Sequence, residues 1–172
     1  MSKLKDIKLV ILDVDGTLTD GKIYYDNQGN EIKTFSVRDG LGIVETIKQE
    51  IVVAIITGRK STIVERRARE LGIKYVYQDV KEKAKVADEL INRLKVNYHE
   101  VMYIGDDIND LQVMQKVGCR ACPKDATIEV QSVCEIISSF CAGNGAVREI
   151  LEQVLKEQGK WKIIIERHRG KA

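Results

Sequence analysis

The chain has 172 residues, enough for one domain with a real core and too few for two comfortable ones. Its 28 basic and 26 acidic side chains leave a formal charge of +2, so charge gives no case for a nucleic acid or an anionic membrane as partner. The opening MSKLKDIK lacks a long apolar segment of the signal-peptide kind, and no run approaches the roughly 18 apolar residues of a membrane span, so a cytoplasmic location is expected.

In chain order, IKLVILDV reads as a first strand that runs into Asp13 and Asp15, with Asp20 soon after. Lys22 to Ser36 reads as a small β-hairpin: two β-rich stretches flank DNQGN, a cluster of turn formers. Helical patterns then alternate with strands: LGIVETIKQE, VVAIITG, STIVERRARELG, KYVYQD, KAKVADELINRL, VMYIGDD and NDLQVMQKVG. Unbroken Val/Ile runs are strands buried on both faces, and their alternation with helices predicts a doubly wound, mostly parallel α/β sheet of Rossmann-like type. CRACP and VCEIIS are two shorter strand candidates, and a final helix is expected from about Gly145 to Gln158. The expected organisation is one domain over 1–158, carrying the hairpin at about 22–36, and a tail over 159–172. For that tail, with Trp161 and three isoleucines among basic groups, fraying and docking on a neighbouring subunit are both open. The spacing of Cys119 and Cys122 matches zinc or redox motifs, but their apolar setting without a nearby histidine favours buried small side chains.

Like charges repel and aspartate is a poor strand former, so local stability does not ask for carboxylates at strand ends. In a doubly wound sheet, however, ligands bind beyond the carboxyl ends of the strands. Asp13 and Asp15 end one strand, Thr57-Gly58-Arg59 another and Gly105-Asp106-Asp107 a third, with Asp110 following. Hard oxygen ligands without His or Cys nearby point to Mg²⁺. The Thr57 hydroxyl suits a phosphoryl oxygen, Gly58 lets backbone amides approach, and a helix starting near Lys60 turns its positive end to the same place. Lys83, before or in the first turn of the helix after KYVYQD, supplies a fixed positive charge. The sum is a phosphoryl-transfer site.

The motifs DVDGTLT, TGR, a lysine and GDDIND, in this order over residues 13 to 110, resemble those of the haloacid dehalogenase superfamily of phosphotransferases. The resemblance implies the corresponding fold, a nucleophilic Asp13 that forms an aspartyl-phosphate, and an Asp15 that protonates the leaving alkoxide and then activates water. It also implies Mg²⁺ held by Asp13, the Asp15 backbone carbonyl and Asp106, with Thr57 and Lys83 orienting and neutralising the phosphoryl group. Three lysines, Lys81, Lys83 and Lys85, compete in DVKEKAK: spacing to GDD resembles that of relatives for Lys83, with Lys81 as the fallback. Asp107 and Asp110 are expected to support the metal or Lys83 rather than to ligate directly.

Neither the interval from Asp15 to Thr57 nor that from Arg59 to Lys83 has room for a cap domain beyond the hairpin, so the site is expected to be open in a monomer. The hairpin, SVRDGLGI, IITGRKSTIVERRARELGI and YIGDDINDLQVM resemble, over most of the chain, the capless branch that dephosphorylates eight-carbon acidic sugar phosphates in lipopolysaccharide precursor synthesis. That resemblance implies a homotetramer in which hairpins assemble and one subunit covers another's site. The substrate-contact positions it carries over are Asp15, Ser36, Val37, Arg38, Asp39, Gly40, Arg59, Arg67 and Lys83. The arginines would meet a carboxylate and a phosphate, although each also reads as a solvated charge, and Asp39 also reads as the N-cap of the helix that follows. AGNGAVRE matches the glycine-rich motif of relatives incompletely, which leaves the role of the tail open. The rivals are a phosphatase of a nine-carbon acidic sugar 9-phosphate, a non-catalytic tetramerisation module and a response-regulator receiver.

Overall fold

The structure, a computed structural model, describes residues 3–170. After a short 3₁₀ turn, β1 (Leu9–Leu12) is buried along its whole length. A hairpin of β2 (Tyr24–Tyr25) and β3 (Glu31–Ile32) follows, then α1 (Val37–Lys48), β4 (Val52–Ile56), α2 (Thr62–Leu71), β5 (Tyr75–Tyr77) and α3 (Lys83–Leu94). The second half runs β6 (Val101–Ile104), α4 (Leu111–Met114), β7 (Cys119–Cys122), α5 (Ile128–Gln131), β8 (Ile136–Ile137), α6 (Ala146–Glu157) and α7 (Trp161–His168).

Six strands form one sheet in the order β5-β4-β1-β6-β7-β8, and every pair in it is parallel. The first three strands step one way from β1, and the next three start again on its other side. The boundary between β1 and β6 is therefore the topological switch point, where a crevice opens at the carboxyl ends. Side chains alternate across the sheet: Val10 and Leu12 join the core under α1, α2 and α6, while Leu9 and Ile11 join the core under α3, α4 and α5. Each fully buried aliphatic side chain there contributes about 1.5–3 kcal/mol. This double coverage is why β1 reads as an unbroken apolar run.

The hairpin closes on an aspartate turn, in which the Asp26 side chain accepts the N–H groups of Gln28 and Asn30, each at 2.8 Å. At its base, the Tyr24 hydroxyl donates to Asp20 at 2.6 Å, so Asp20 is a loop brace.

Two expectations change. Ser36, not Asp39, caps α1, accepting the Asp39 N–H at 3.2 Å. Asp39 instead sends its carboxylate across to another helix, where it accepts the N–H groups of Gly145 (3.2 Å) and Arg148 (2.7 Å) at the start of α6. The segment after Gly159 is not frayed in its described part. In α7, Ile164 is only 2 % exposed, and the Arg148 guanidinium lies 4.8 Å from the centroid of the Trp161 ring. Lys160 donates to the Gln49 carbonyl at 2.9 Å, and Arg167 and His168 both reach Glu45 of α1. Apolar groups that find a core on their own chain take a fixed place there. Lys171 and Ala172 lie outside the described residues.

Cys119 and Cys122 are buried as small core side chains, and burial pushes the Cys119 thiol up to about 11, which leaves it inert. No helix among the described residues is long and apolar enough to cross a membrane.

Candidate active site

Asp13 leaves the end of β1 with its N–H bonded to the Ile104 carbonyl of β6 at 3.0 Å, which sets it at the switch point. The chain then turns at Gly16, whose φ of +85° lies in the left-handed region and whose missing Cβ would stand 2.0 Å from Asp106 Oδ2. Thr17 Oγ1 donates to Asp106 Oδ1 at 3.1 Å. From the β6 side, Gly105 lets the Asp110 carboxylate approach, since a Cβ there would meet Asp110 Oδ2 at 2.2 Å.

Asp110 is the buried hub. Its Oδ1 accepts from Lys83 Nζ (2.7 Å) and the Tyr103 hydroxyl (2.6 Å), and its Oδ2 accepts the Asp106 N–H (3.0 Å). Lys83 opens α3 and also lies 2.9 Å from Asp13 Oδ2. Lys81 and Lys85, the competing lysines, are exposed. Asp107 is exposed as well, and its side chain caps the following 3₁₀ turn by accepting the Ile108 N–H at 2.7 Å.

Asp13, Asp106 and Asp110 can each bring one carboxylate oxygen within 4.8 Å of the others. Asp110 has both oxygens engaged by Lys83, Tyr103 and the 105–107 turn, so its part is support. Asp13 Oδ1 is buried and has no hydrogen-bond partner among the described residues. Burial and the Asp110 charge push Asp13 up to about 6, against the pull of Lys83. Burial, then Asp13 and Asp110, push Asp106 up to about 7. An oxygen-only set with one open buried oxygen and excess negative charge fits a hard divalent cation such as Mg²⁺.

Thr57 follows β4, buried, with its N–H on the Tyr77 carbonyl at 3.0 Å. Gly58 meets nothing closer than a backbone oxygen 3.7 Å from its missing Cβ, so its surface is open to a ligand. Arg59 reaches back over the cleft, with Nε 3.8 Å from Asp15 Oδ2 and Nη2 3.2 Å from Glu31. Asp13, Asp15, Thr57, Gly58, Arg59, Asp106 and Asp107 line one cleft of about 280 Å³.

The remaining expected residues are not brought to that cleft. Ser36, Asp39, Gly40 and Arg67 line a separate crevice between α1 and α2, where Arg67 lies 6.0 Å from the Phe35 ring centroid and its Nε has no partner among the described residues. Val37 is exposed, and Arg38 lines a wide groove along α6 with Arg148 and Glu149.

Sequence reasoning missed two groups. Tyr103 looked like strand core, and only its hydroxyl marks it. Glu31 and Lys33 were read only as part of the hairpin, yet Lys33 pairs with Asp15, and Glu31 accepts the Ser61 hydroxyl at 2.7 Å. The period of two, which sets residues 31 and 33 on one face, was the available signal.

A parallel sheet with this strand order and a carboxylate cluster at its switch point defines a phosphotransferase-type hydrolase site. Residues 33–118 match the haloacid dehalogenase-like hydrolase family, and the chain belongs to it. It is 43 % identical to the 3-deoxy-D-manno-octulosonate 8-phosphate phosphatase of Escherichia coli strain B over 160 residues, 93 % of this chain and 85 % of that protein. Among solved structures it is similar to that phosphatase from Moraxella catarrhalis in complex with magnesium ion, phosphate ion and KDO, with a TM-score of 0.94 and 39 % identity over 96 % of this chain and 95 % of that one. The cobalt-bound enzyme from Haemophilus influenzae gives a TM-score of 0.90 and 41 % identity over 94 % and 95 % of the two chains.

Proposed function

We propose that this chain is a Mg²⁺-dependent phosphatase that hydrolyses 3-deoxy-D-manno-octulosonate 8-phosphate to the free sugar acid and inorganic phosphate. The observation that carries this reading is the identity of 43 % across 93 % of the chain with a phosphatase of that substrate. A complete set of reacting groups in one cleft supports it, and a retired tetramerisation module would not need one.

Asp13 is the nucleophile: its carboxylate attacks phosphorus, the bond to the sugar oxygen breaks, and Asp15 gives that oxygen a proton. Water then attacks the aspartyl-phosphate, Asp15 takes the proton back, and phosphate leaves. Asp13, Asp106 and the Asp15 backbone carbonyl hold Mg²⁺, which when bound supplies charge neutralisation to the phosphoryl oxygens. Thr57 donates its hydroxyl to the phosphoryl group, and Lys83 keeps Asp13 ionised and neutralises charge beside it.

The substrate carries a carboxylate besides its phosphate, and Arg59 at the rim is the cation to meet it. Arg67 and the 36–40 stretch lie outside the subunit's own cleft, which agrees with a homotetramer whose neighbouring subunits complete each site. The exposed hairpin residues Ile23, Tyr25 and Ile32 supply apolar surface for that assembly. The expected setting is the cytoplasm.

The test is phosphate release from eight- and nine-carbon acidic sugar phosphates with and without Mg²⁺. The eight-carbon substrate should turn over with the higher kcat/KM and only with the metal. Preference for the nine-carbon ester, or turnover in EDTA, would overturn the assignment.

A further inference from the structure

We propose that Lys33, on the hairpin of the same subunit, is a positioning residue that fixes the Asp15 carboxylate for proton transfer. The inference rests on Asp15 being the acid–base group of the proposed reaction.

Lys33 follows a two-residue strand whose Ile32 is 48 % exposed, yet its own side chain is only 2 % exposed. The ammonium turns inward, pairs with Asp15 Oδ1 and stands 3.4 Å from Glu31 Oε1. Withdrawing a lysine from water is costly, and the two carboxylates it meets offset that cost.

The hairpin has a second anchor besides this lysine. Glu31 ties it to the start of α2, accepting from Arg59 Nη2 at 3.2 Å and from the Ser61 hydroxyl at 2.7 Å. What Lys33 adds is a grip on one oxygen of Asp15, while the other, Oδ2, faces Arg59 at the cleft. Asp15 follows the end of β1, on a turn, with its side chain 23 % exposed. A proton must pass from it to the sugar oxygen and later return from water, both within hydrogen-bond reach. A carboxylate held at one oxygen offers the other in a constant direction.

The experiment compares wild type, K33M and K33R on the eight-carbon sugar 8-phosphate and on p-nitrophenyl phosphate, whose leaving group needs no proton. For K33M, kcat on the sugar phosphate should fall about 30- to 300-fold with KM within about threefold. Its Mg²⁺ affinity by calorimetry and its thermal midpoint should stay at the wild-type values. With p-nitrophenyl phosphate, K33M should release a burst of one nitrophenolate per site, because Asp13 is still phosphorylated but its hydrolysis needs Asp15. K33R should recover at least about tenfold of the lost kcat, since a guanidinium reaches the same oxygen. A K33M kcat within threefold of wild type, equal losses on both substrates without a burst, or no recovery in K33R would overturn the role. If K33M melts well below wild type, K33Q replaces it, with the same burst expected and its absence overturning the role. Wild type inactive on the sugar phosphate would instead sink the functional reading.

Discussion

Lys83 Nζ lies 2.9 Å from Asp13 Oδ2, and both side chains are buried. The ammonium also holds Asp110 at 2.7 Å, so one positive charge stands between two carboxylates that would otherwise face each other in the protein interior. Its loss should therefore be felt in stability as well as in rate. K83M should lower kcat at least about 10³-fold and, without metal at pH 8, cost about 3 kcal/mol in guanidinium unfolding, because two buried carboxylates lose their partner. Unfolding midpoints measured with and without Mg²⁺ check this. An unchanged midpoint in EDTA would show that the lysine contributes no net stability.

The same carboxylates predict how metal binding responds to pH. Asp13 and Asp106 rise from 3.8 to about 6 and about 7 on folding, chiefly through burial. Between pH 4 and 7 the folded metal-free protein thus holds protons that the unfolded chain has released, so its stability falls as pH rises and levels off above about 7. Mg²⁺ competes for the same oxygens, so its affinity rises over that interval. Scanning calorimetry should show a gap between the metal-loaded and metal-free midpoints that widens from pH 5 to pH 8. A gap constant with pH would count against Asp13 and Asp106 as the ligands.

The fold was legible because both faces of its sheet are covered: buried strands such as Leu9–Leu12 have to be apolar throughout, and carboxylates directly after them have no structural reason to be there. Asp13 and Asp106 stood out for the same cause, since buried charge without chemistry is costly, whereas Lys83 was separated from Lys81 and Lys85 only by a spacing that resembles relatives. The alternative reading of Asp39 as the cap of the helix that follows fails because the sequence shows a helix cap but not which helix, and its partners Gly145 and Arg148 lie more than a hundred residues away. Lys33 and Glu31 were passed over for a related reason: their period of two puts them on one face of the hairpin but does not say what that face meets. The docking of Trp161 and Ile164 was likewise hidden, because an apolar helix near the chain end does not announce which surface receives it.

Asp39 offers a clean separation of cap from substrate contact. Its carboxylate is 1 % exposed and bonded to two N–H groups of α6, and burial pushes its carboxyl up against their pull. D39A should destabilise the protein by about 1–2 kcal/mol, as the loss of a helix cap does, and D39N by less. If the role is capping alone, KM for the sugar phosphate stays within about threefold in D39N, since a capping loss lowers stability rather than ligand affinity. A tenfold or larger rise in KM with no change in midpoint would return Asp39 to the substrate.

Removal of α7 tests what the terminal segment is for. Truncation after Lys160 deletes Trp161 and Ile164, uncovering the apolar surface they pack on, and takes Arg167 and His168 from Glu45, a carboxylate buried on α1 that would keep only Lys48 at 3.2 Å. The loss of Ile164 burial alone corresponds to about 1.5–3 kcal/mol. An unpaired Glu45 adds to it, so the truncated chain should melt several degrees lower, and E45Q should recover part of the difference by removing the stranded charge. Because α7 packs on α1 and α6, away from the cleft at the ends of β1 and β6, kcat per folded molecule should hold. A rise in KM for the eight-carbon sugar phosphate, with little change in melting, would assign the segment to the substrate site instead, and with it a route from the subunit surface to a neighbour's cleft.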